Sequence, residues 1–228
     1  MAEKINKAKG VFESLKPKSE IFVKLKEEQP NWWKLFCKDK ELYIDIRKDN
    51  YINVYYNGGN VAKIVFEKGE FKATTHQKYL GDNKSRGKTK KGKDKFEYDN
   101  LDLSTIDKKK LNDIKANIKE IYSDQNSTTE KPAEKWLQCK LILENQNYID
   151  SEFAYNRDTE IPNLRIDLIE LKNGILSFVE LKRIDDNRLL NDEKRNKKEP
   201  EIITQMNNYE RFISKYNDKI INNLFKKK

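Results

Sequence analysis

Cysteine, histidine and long apolar runs are all scarce in this chain, and each scarcity excludes a class of protein. The two cysteines, Cys37 and Cys139, lie far apart without metal-ligand spacing, so neither a disulfide framework nor a thiolate zinc site is expected. The single histidine, His76, is most simply an ordinary residue at the end of a strand rather than part of a catalytic triad. No apolar run approaches the length of a membrane span, and the first ten residues lack a signal-peptide core. These features predict a cytoplasmic protein without membrane contact.

Apolar residues are limited as well. They make up 36% of the 228 residues against 37% charged residues, so the core must be concentrated in a few segments. Basic residues outnumber acidic ones by 47 to 38. The resulting net charge of +9 favours a polyanionic partner, and nucleic acid is the leading candidate. A lysine-rich protein from a compositionally biased genome is the alternative.

The first half of the chain has the pattern of an antiparallel meander that follows an aromatic anchor at 31–36. Its short β-branched and aromatic runs, separated by turn residues, are ELYIDIR, YINVYY, NVAKIVF and EFKATTH. A stretch at 83–95 then carries seven basic residues and predicts a mobile surface loop, and a helix is expected over 104–124. The polar segment 125–132 predicts a boundary between an N-terminal region, 1–125, and a second domain, 126–228. The N-terminal region could bind DNA, dimerise or extend the sheet.

The second half predicts the order helix, strand, strand, strand, helix, which is economically packed as a sheet covered by helices. Pro132 fits the first turn of the first helix. The apolar positions of that helix are Trp136, Leu137, Leu141 and Leu143. The stripe predicted for the last helix is Ile202, Met206, Tyr209, Ile213 and Tyr216.

A hairpin at 163–183 has charged residues where a buried strand should be apolar. Asn-Gly between two apolar runs predicts a two-residue turn at 173–174, in which cross-strand partners have numbers that sum to 347. Asp167 then faces Glu180, and Arg165 faces Lys182, at one end of a sheet face in which both strands look central.

Opposed carboxylates repel each other, so this pairing calls for protonation of one of them or for a compensating cation. Lys182 and Arg165 supply part of that charge. A divalent metal would supply more, and hard oxygen ligands with room for water suit Mg²⁺. A structural ion pair is the alternative, because Glu-x-Lys triplets also occur at 70–72 and 170–172. Only the triplet at 180–182 has a facing aspartate.

An aspartate, a hairpin and then Glu-Leu-Lys together resemble the signature of the PD-(D/E)XK nuclease superfamily. QMNNY at 205–209 resembles the Q-x-x-x-Y motif of its RecB-like branches, and Glu134 matches the position of a further acidic residue. Ile166 stands where proline is common in the family. The resemblance covers about residues 130–218 and implies an α+β or α/β restriction-endonuclease-like core: helix, three-strand meander, helix, with a mixed central sheet flanked by helices. A smaller antiparallel β-rich region precedes this core.

The resemblance also implies roles for single residues. Asp167, Glu180, the Leu181 carbonyl and Glu134 would bind Mg²⁺, for which Mn²⁺ can substitute. Lys182 would orient the attacking water or stabilise the transition state, and Gln205 would reach the site or the substrate. Core packing is the default role of Tyr209, and a first-turn glutamate favoured by the helix dipole is the alternative for Glu134.

The function implied is metal-dependent hydrolysis of DNA, by an endonuclease more than an exonuclease, in prokaryotic restriction, phage defence or repair. Double-strand cleavage with one site per chain favours a homodimer. The two long loops, 83–95 and 183–199, are expected to contact phosphates of the substrate. The alternative is that both loops are simply solvated surface. There are two alternatives to a nuclease. The protein could be an inactive nucleic-acid-binding module that keeps the nuclease fold, or it could be a partner protein. The nucleic-acid contacts expected are Lys84, Arg86, Lys88, Lys90, Lys91, Lys93, Arg183 and Tyr209.

Overall fold

The chain forms two compact units. The computed structural model describes residues 15–47, 49–90, 95–122, 134–156, 160–190 and 199–224. The N-terminal unit is Pro17–Asn145, and the C-terminal unit comprises residues 15–16 and the described residues from Gln146 onward. The predicted boundary at 125/126 lies outside the described residues. The protein is mixed α+β, and none of its described helices has the length and apolar character needed to cross a membrane.

The described residues of the N-terminal unit form a five-stranded antiparallel sheet with four α-helices. The helices are α1 (Glu20–Glu28), α2 (Asn31–Lys38), α3 (Lys108–Tyr122) and α4 (Glu134–Glu144). The strands are β1 (Tyr43–Arg47), β2 (Tyr51–Tyr56), β3 (Gly59–Glu67), β4 (Glu70–His76) and β5 (Tyr98–Asn100). Their spatial order is the chain order, so the predicted meander is confirmed, with β5 as an additional strand. Ile52, Val54 and Ile64 of the sheet form one core with Leu111, Ile114 and Ile118 of α3.

The tight turn between β2 and β3 holds helix α4 in this unit. Gly58 has φ +86°, and a Cβ built there would lie 2.6 Å from Lys135 Cβ and 2.8 Å from its carbonyl oxygen. Cys139, one turn further along α4, is 1% exposed, and the backbone N–H groups of Asn57 and Gly58 lie close to its sulfur. The turn and the helix are therefore in direct contact.

The buried face of α4 differs from the predicted one. The buried residues are Gln138 and Cys139, whereas Trp136, Leu137 and Leu141 are half-buried and Leu143 is exposed. The close approach at Gly58 brings Cys139 against the turn, where a small thiol fits and a large apolar side chain would not. Pro132 lies outside the described residues.

In the part of the C-terminal unit that the structure describes, three antiparallel strands form a sheet that is accompanied by one long helix. Its elements are β6 (Tyr148–Tyr155), β7 (Leu164–Lys172), β8 (Ile175–Val179) and α5 (Glu201–Lys219), which continues as a π-helical segment, Ile220–Leu224. The hairpin register is confirmed from Lys172–Ile175 to Leu168–Val179. Asn173 and Gly174 have φ of +52° and +78°, as a type I′ turn requires.

Three features of the predicted sheet are wrong. The described strand pairs are all antiparallel, so this sheet is not mixed, and β8 is an edge strand because the order is β6-β7-β8. The ladder also ends at Val179, before the predicted Asp167–Glu180 and Arg165–Lys182 pairs. The first residue of this edge strand, Ile175, is accordingly 67% exposed.

Helix α5 packs against the three strands through aromatic residues. Tyr209, Phe212 and Tyr216 are buried, whereas Met206 and Ile213 of the predicted stripe are exposed. The ring of Phe212 lies 4.8 Å from that of Tyr155 and 6.1 Å from that of Phe153, centroid to centroid. Large rings bury more apolar area than isoleucine, so they determine which side of the helix faces the sheet.

Candidate active site

Asp167 and the Glu-Leu-Lys triplet meet where β8 leaves the ladder. Asp167 lies within β7, and its Oδ2 accepts a hydrogen bond of 2.9 Å from the backbone N–H of Leu181. A side-chain oxygen thus takes the place of a strand carbonyl at this point. The bond draws the chain after Val179 towards the aspartate, although the two segments no longer form a regular ladder.

The side chain of Lys182 folds back onto the two residues that precede it, Glu180 and Leu181. Its ammonium group contacts Oε1 of Glu180 in an ion pair and donates a 3.0 Å hydrogen bond to the carbonyl oxygen of Leu181. The side chains of Glu180 and Lys182 are each only 6% exposed. A buried carboxylate requires such a partner, because its desolvation would otherwise cost several kcal/mol.

Glu180 has a second partner on helix α5. The hydroxyl of Tyr209 lies 2.5 Å from Glu180 Oε2 and 2.7 Å from the carbonyl oxygen of Arg165. Nε2 of Gln205 donates a 3.0 Å hydrogen bond to the same hydroxyl. The two residues of the Q-x-x-x-Y motif therefore form a hydrogen-bonded chain. Gln205 donates to the Tyr209 hydroxyl, and that hydroxyl contacts the Glu180 carboxylate.

Tyr209 occupies the interior of this cluster and not a nucleic-acid surface. It is 3% exposed. Burial, and then its bond to the Glu180 carboxylate, raise the pKa of the tyrosine well above its usual range, so the hydroxyl stays protonated and can donate at neutral pH. We assign it to positioning Glu180 in place of the predicted contact with nucleic acid.

The oxygen atoms of the cluster suit a hard divalent cation. Among the described residues no group of three or more His, Cys, Asp and Glu side chains is arranged to hold a metal. Glu180 Oε1 and the Leu181 carbonyl nevertheless converge on one cation, the Lys182 ammonium. These two oxygens and the Asp167 carboxylate would hold Mg²⁺ with water completing its shell. Glu134 belongs to the N-terminal unit, and its role as a ligand stays a prediction.

Glu152 is a further candidate residue of this site, and the sequence did not predict it. Its neighbours Ser151 and Phe153 pair with Leu168 and Ile166, so Glu152 lies across from Asp167. It has φ +52°, a strained value for a glutamate, and forms an ion pair with Arg165. Its strand, YIDSEFAYN, carries no sequence signal for this conformation.

The predicted nucleic-acid contacts differ in their surroundings. Lys84, Lys88 and Lys90 are exposed, whereas Lys91 and Lys93 lie outside the described residues. Two of the cations are engaged by carboxylates. Arg86 is bound to Asp82 and Asp99, and Arg183 to Asp185 at 3.1 Å. Lys84 and Lys90 are therefore the better candidates for phosphate contacts.

Comparisons with protein-family models, with curated proteins and with solved structures find no match to this chain. The functional argument consequently rests on the residues of the cluster and on their geometry.

Proposed function

We propose that the protein is a metal-dependent nuclease that hydrolyses phosphodiester bonds in DNA. One observation carries the proposal: Asp167, Glu180, Leu181 and Lys182 are joined by direct contacts at the end of one hairpin. Two carboxylates, a carbonyl and an ammonium are the groups that a metal-assisted phosphoryl transfer needs close together. An ion pair with a purely structural role would not require the Asp167 contact.

The residues divide into binding and positioning roles. Asp167, Glu180 and the Leu181 carbonyl would hold Mg²⁺, which when bound supplies a Lewis acid for water activation and for charge on the phosphate. Lys182 would place its ammonium group next to the developing negative charge. Tyr209, supported by Gln205, keeps the Glu180 carboxylate in place. These roles match those of the PD-(D/E)XK nucleases that the motif resembles.

The broader assignments follow from this chemistry. We propose that the strands β6–β8 and helix α5 of the C-terminal unit are the part of the chain related to a restriction-endonuclease-like core. We expect endonuclease activity in the cytoplasm, in restriction, phage defence or repair. A homodimer would supply a second site for the opposite strand.

Removal of the metal is the direct test. Supercoiled plasmid, linear duplex, single-stranded DNA and RNA are incubated with the purified protein in Mg²⁺, Mn²⁺, Ca²⁺ or EDTA. We expect cleavage of a DNA substrate in Mg²⁺ and Mn²⁺ and none in EDTA, with new ends in the closed plasmid as the mark of an endonuclease. If all four substrates stay intact in both Mg²⁺ and Mn²⁺, the proposal is wrong.

Loss of the Tyr209 hydroxyl should weaken both stability and activity. Tyr209→Phe keeps the buried ring but removes the group that contacts Glu180, Arg165 and Gln205. We expect the free energy of unfolding to fall by about 1.5 kcal/mol and kcat/KM for cleavage to fall about tenfold. Urea denaturation and initial cleavage rates measure the two effects.

Tyr216→Phe is the matched control for this substitution. Tyr216 lies two turns further along α5 and is buried, and its hydroxyl receives a 3.0 Å hydrogen bond from Tyr155, which is not a residue of the charged cluster. Its loss should lower stability by a comparable amount and leave kcat/KM unchanged. Equal losses of activity in the two variants would refute a positioning role for Tyr209.

A further inference from the structure

The base of the basic loop, 83–95, is closed by a buried amide. Gln77 is fully buried, and its Nε2 donates to the carbonyl oxygens of Lys84 at 2.7 Å and Asp82 at 3.3 Å. Its Oε1 accepts a 2.8 Å bond from the backbone N–H of Glu97. The incoming and outgoing limbs of the loop are therefore tied to one side chain.

Backbone bonds complete the closure. The N–H of Arg86 donates to the carbonyl of Lys95 at 2.8 Å, and the N–H of Lys95 donates to the carbonyl of Gly87 at 2.9 Å. The ordering entropy of this base is thus already lost in the free protein, which favours binding by the groups that it presents.

The acidic residues at the base are neutralised locally. The guanidinium of Arg86 binds Asp99 in a bidentate pair, at 2.5 and 2.6 Å, and Asp82 at 3.3 Å. Lys95 binds Glu97 at 2.6 Å. These carboxylates therefore do not cancel the charges of the exposed lysines, Lys84 and Lys90, which can attract phosphate.

An exposed aromatic ring stands beside this base. Tyr98 is 65% exposed on the edge strand β5, where it pairs with His76. The imidazole lies against it at 5.6 Å and 84°, edge to face. Next to it, the ammonium of Lys78 lies 3.8 Å over the ring of Phe96. The limb of the loop that carries Lys84 is thus joined to the chain just before Tyr98 through Gln77, which binds the Lys84 carbonyl and the Glu97 N–H.

We propose that the surface formed by Lys84, Lys90 and Tyr98, here the tyrosine-lysine surface, binds a single-stranded segment of nucleic acid. The lysines contact phosphates and one base stacks on the Tyr98 ring. A base within a duplex cannot offer its face to a ring, so the exposed tyrosine selects unpaired strands. This inference deepens the proposed nuclease function and gives the N-terminal unit a task, that of holding an unpaired stretch of the substrate.

Binding measured in EDTA tests the surface without any cleavage. The anisotropy of a fluorescein-labelled oligo-dT and of a matched duplex is followed with the full-length protein. We expect tighter binding of the single strand, about tenfold weaker binding in Tyr98→Ala, and nearly unchanged binding in Tyr98→Phe, which keeps the ring. Tyr98→Ala should fold, because most of its side chain is in water; circular dichroism checks this.

Salt dependence tests the lysines. The double variant Lys84→Ala/Lys90→Ala should reduce the slope of log affinity against log salt by about 1.4, since each phosphate contact on a single strand contributes about 0.7. Lys18→Ala/Lys38→Ala, which removes two exposed lysines from outside the loop, should leave the slope unchanged. Equal slopes for the two double variants would overturn the assignment of Lys84 and Lys90.

Two outcomes separate this inference from the nuclease proposal. Binding that depends on Tyr98 in a protein that never cleaves would refute the nuclease and support the surface. Cleavage by a protein in which Tyr98→Ala binds oligo-dT as the wild type does would refute the surface alone. A preference for the duplex would also overturn it.

Discussion

Lys182→Met is expected to reduce DNA cleavage about 10³-fold, the scale on which a preorganised charge acts on a transition state. The ammonium group of Lys182 contacts Glu180 and the Leu181 carbonyl, and methionine keeps the apolar stem while removing that charge. Glu180 is then left with one fewer partner in a buried position, so the free energy of unfolding should also fall by about 3 kcal/mol. Single-turnover rates, measured well below the melting temperature, give the loss of activity.

Lys172→Ala supplies the matched control. Lys172 closes the other Glu-x-Lys triplet of the same hairpin, at 170–172, but it is exposed and lies next to the turn. Its replacement should leave both cleavage and stability within experimental error of the wild type. Comparable losses in the two lysine variants would show that general charge, and not the position at 182, matters.

Metal affinity separates the role of Lys182 from that of Asp167. Calorimetric titration with Mn²⁺ should show binding to Lys182→Met that is no weaker than to the wild type, because a cation that competes for the same oxygens has been removed. Asp167→Asn, purified identically, should bind Mn²⁺ at least about tenfold more weakly. It should also lack cleavage, which excludes a co-purifying nuclease. Cleavage that persists in Asp167→Asn and Lys182→Met would remove the basis of the assignment.

Gly58→Ala is expected to lower the free energy of unfolding by about 4 kcal/mol. A left-handed conformation costs an L-residue about 1–2 kcal/mol, and the close approach to Lys135 adds the penalty of an overpacked contact. The new methyl group would meet backbone atoms of α4, which cannot turn aside as a flexible side chain does. Urea denaturation measures the loss.

Gly69→Ala isolates the contribution of the contact. Gly69 has φ +83°, close to that of Gly58, but no atom lies within 4 Å of its built Cβ, so only the conformational cost of about 1–2 kcal/mol should remain. Thiol labelling provides a local readout. In a Cys37→Ser background, Gly58→Ala should expose Cys139 to reagent much faster than Gly69→Ala. Equal stabilities and equal labelling rates in the two variants would contradict the described contact.

Local chemistry made the hairpin predictable. Asn173 and Gly174 adopt the positive φ values that their turn requires, and the register up to Leu168–Val179 follows from the turn alone. The same reasoning made the predicted ladder too long. The alternation of side chains along a strand does not show where a side chain accepts a backbone N–H in place of a carbonyl oxygen. Asp167 accepts the N–H of Leu181, and the regular strand pairing has already ended at Val179.

Contacts between parts of the chain that are distant in sequence could not be predicted from residue patterns. The pairing of Gly58 with Lys135 decides which face of α4 is buried, and no spacing within the helix reveals it. The strand β5 was missed because three residues are too few to show alternation. Tyr209 was predicted from its motif and from its apolar stripe alike, yet only the fold shows that its hydroxyl is directed at Glu180.

The closed base of the basic loop also has a consequence for engineering the proposed nucleic-acid surface. Gln77 and the Arg86–Lys95 bond hold the limbs together, so residues between Gly87 and Lys95 can be exchanged or lengthened without disturbing the sheet. Doubling the length of a closed loop costs only about 0.6 kcal/mol. Loop libraries grafted between these two residues would therefore be a practical route to altered specificity, since the parts that vary are separate from the parts that fold.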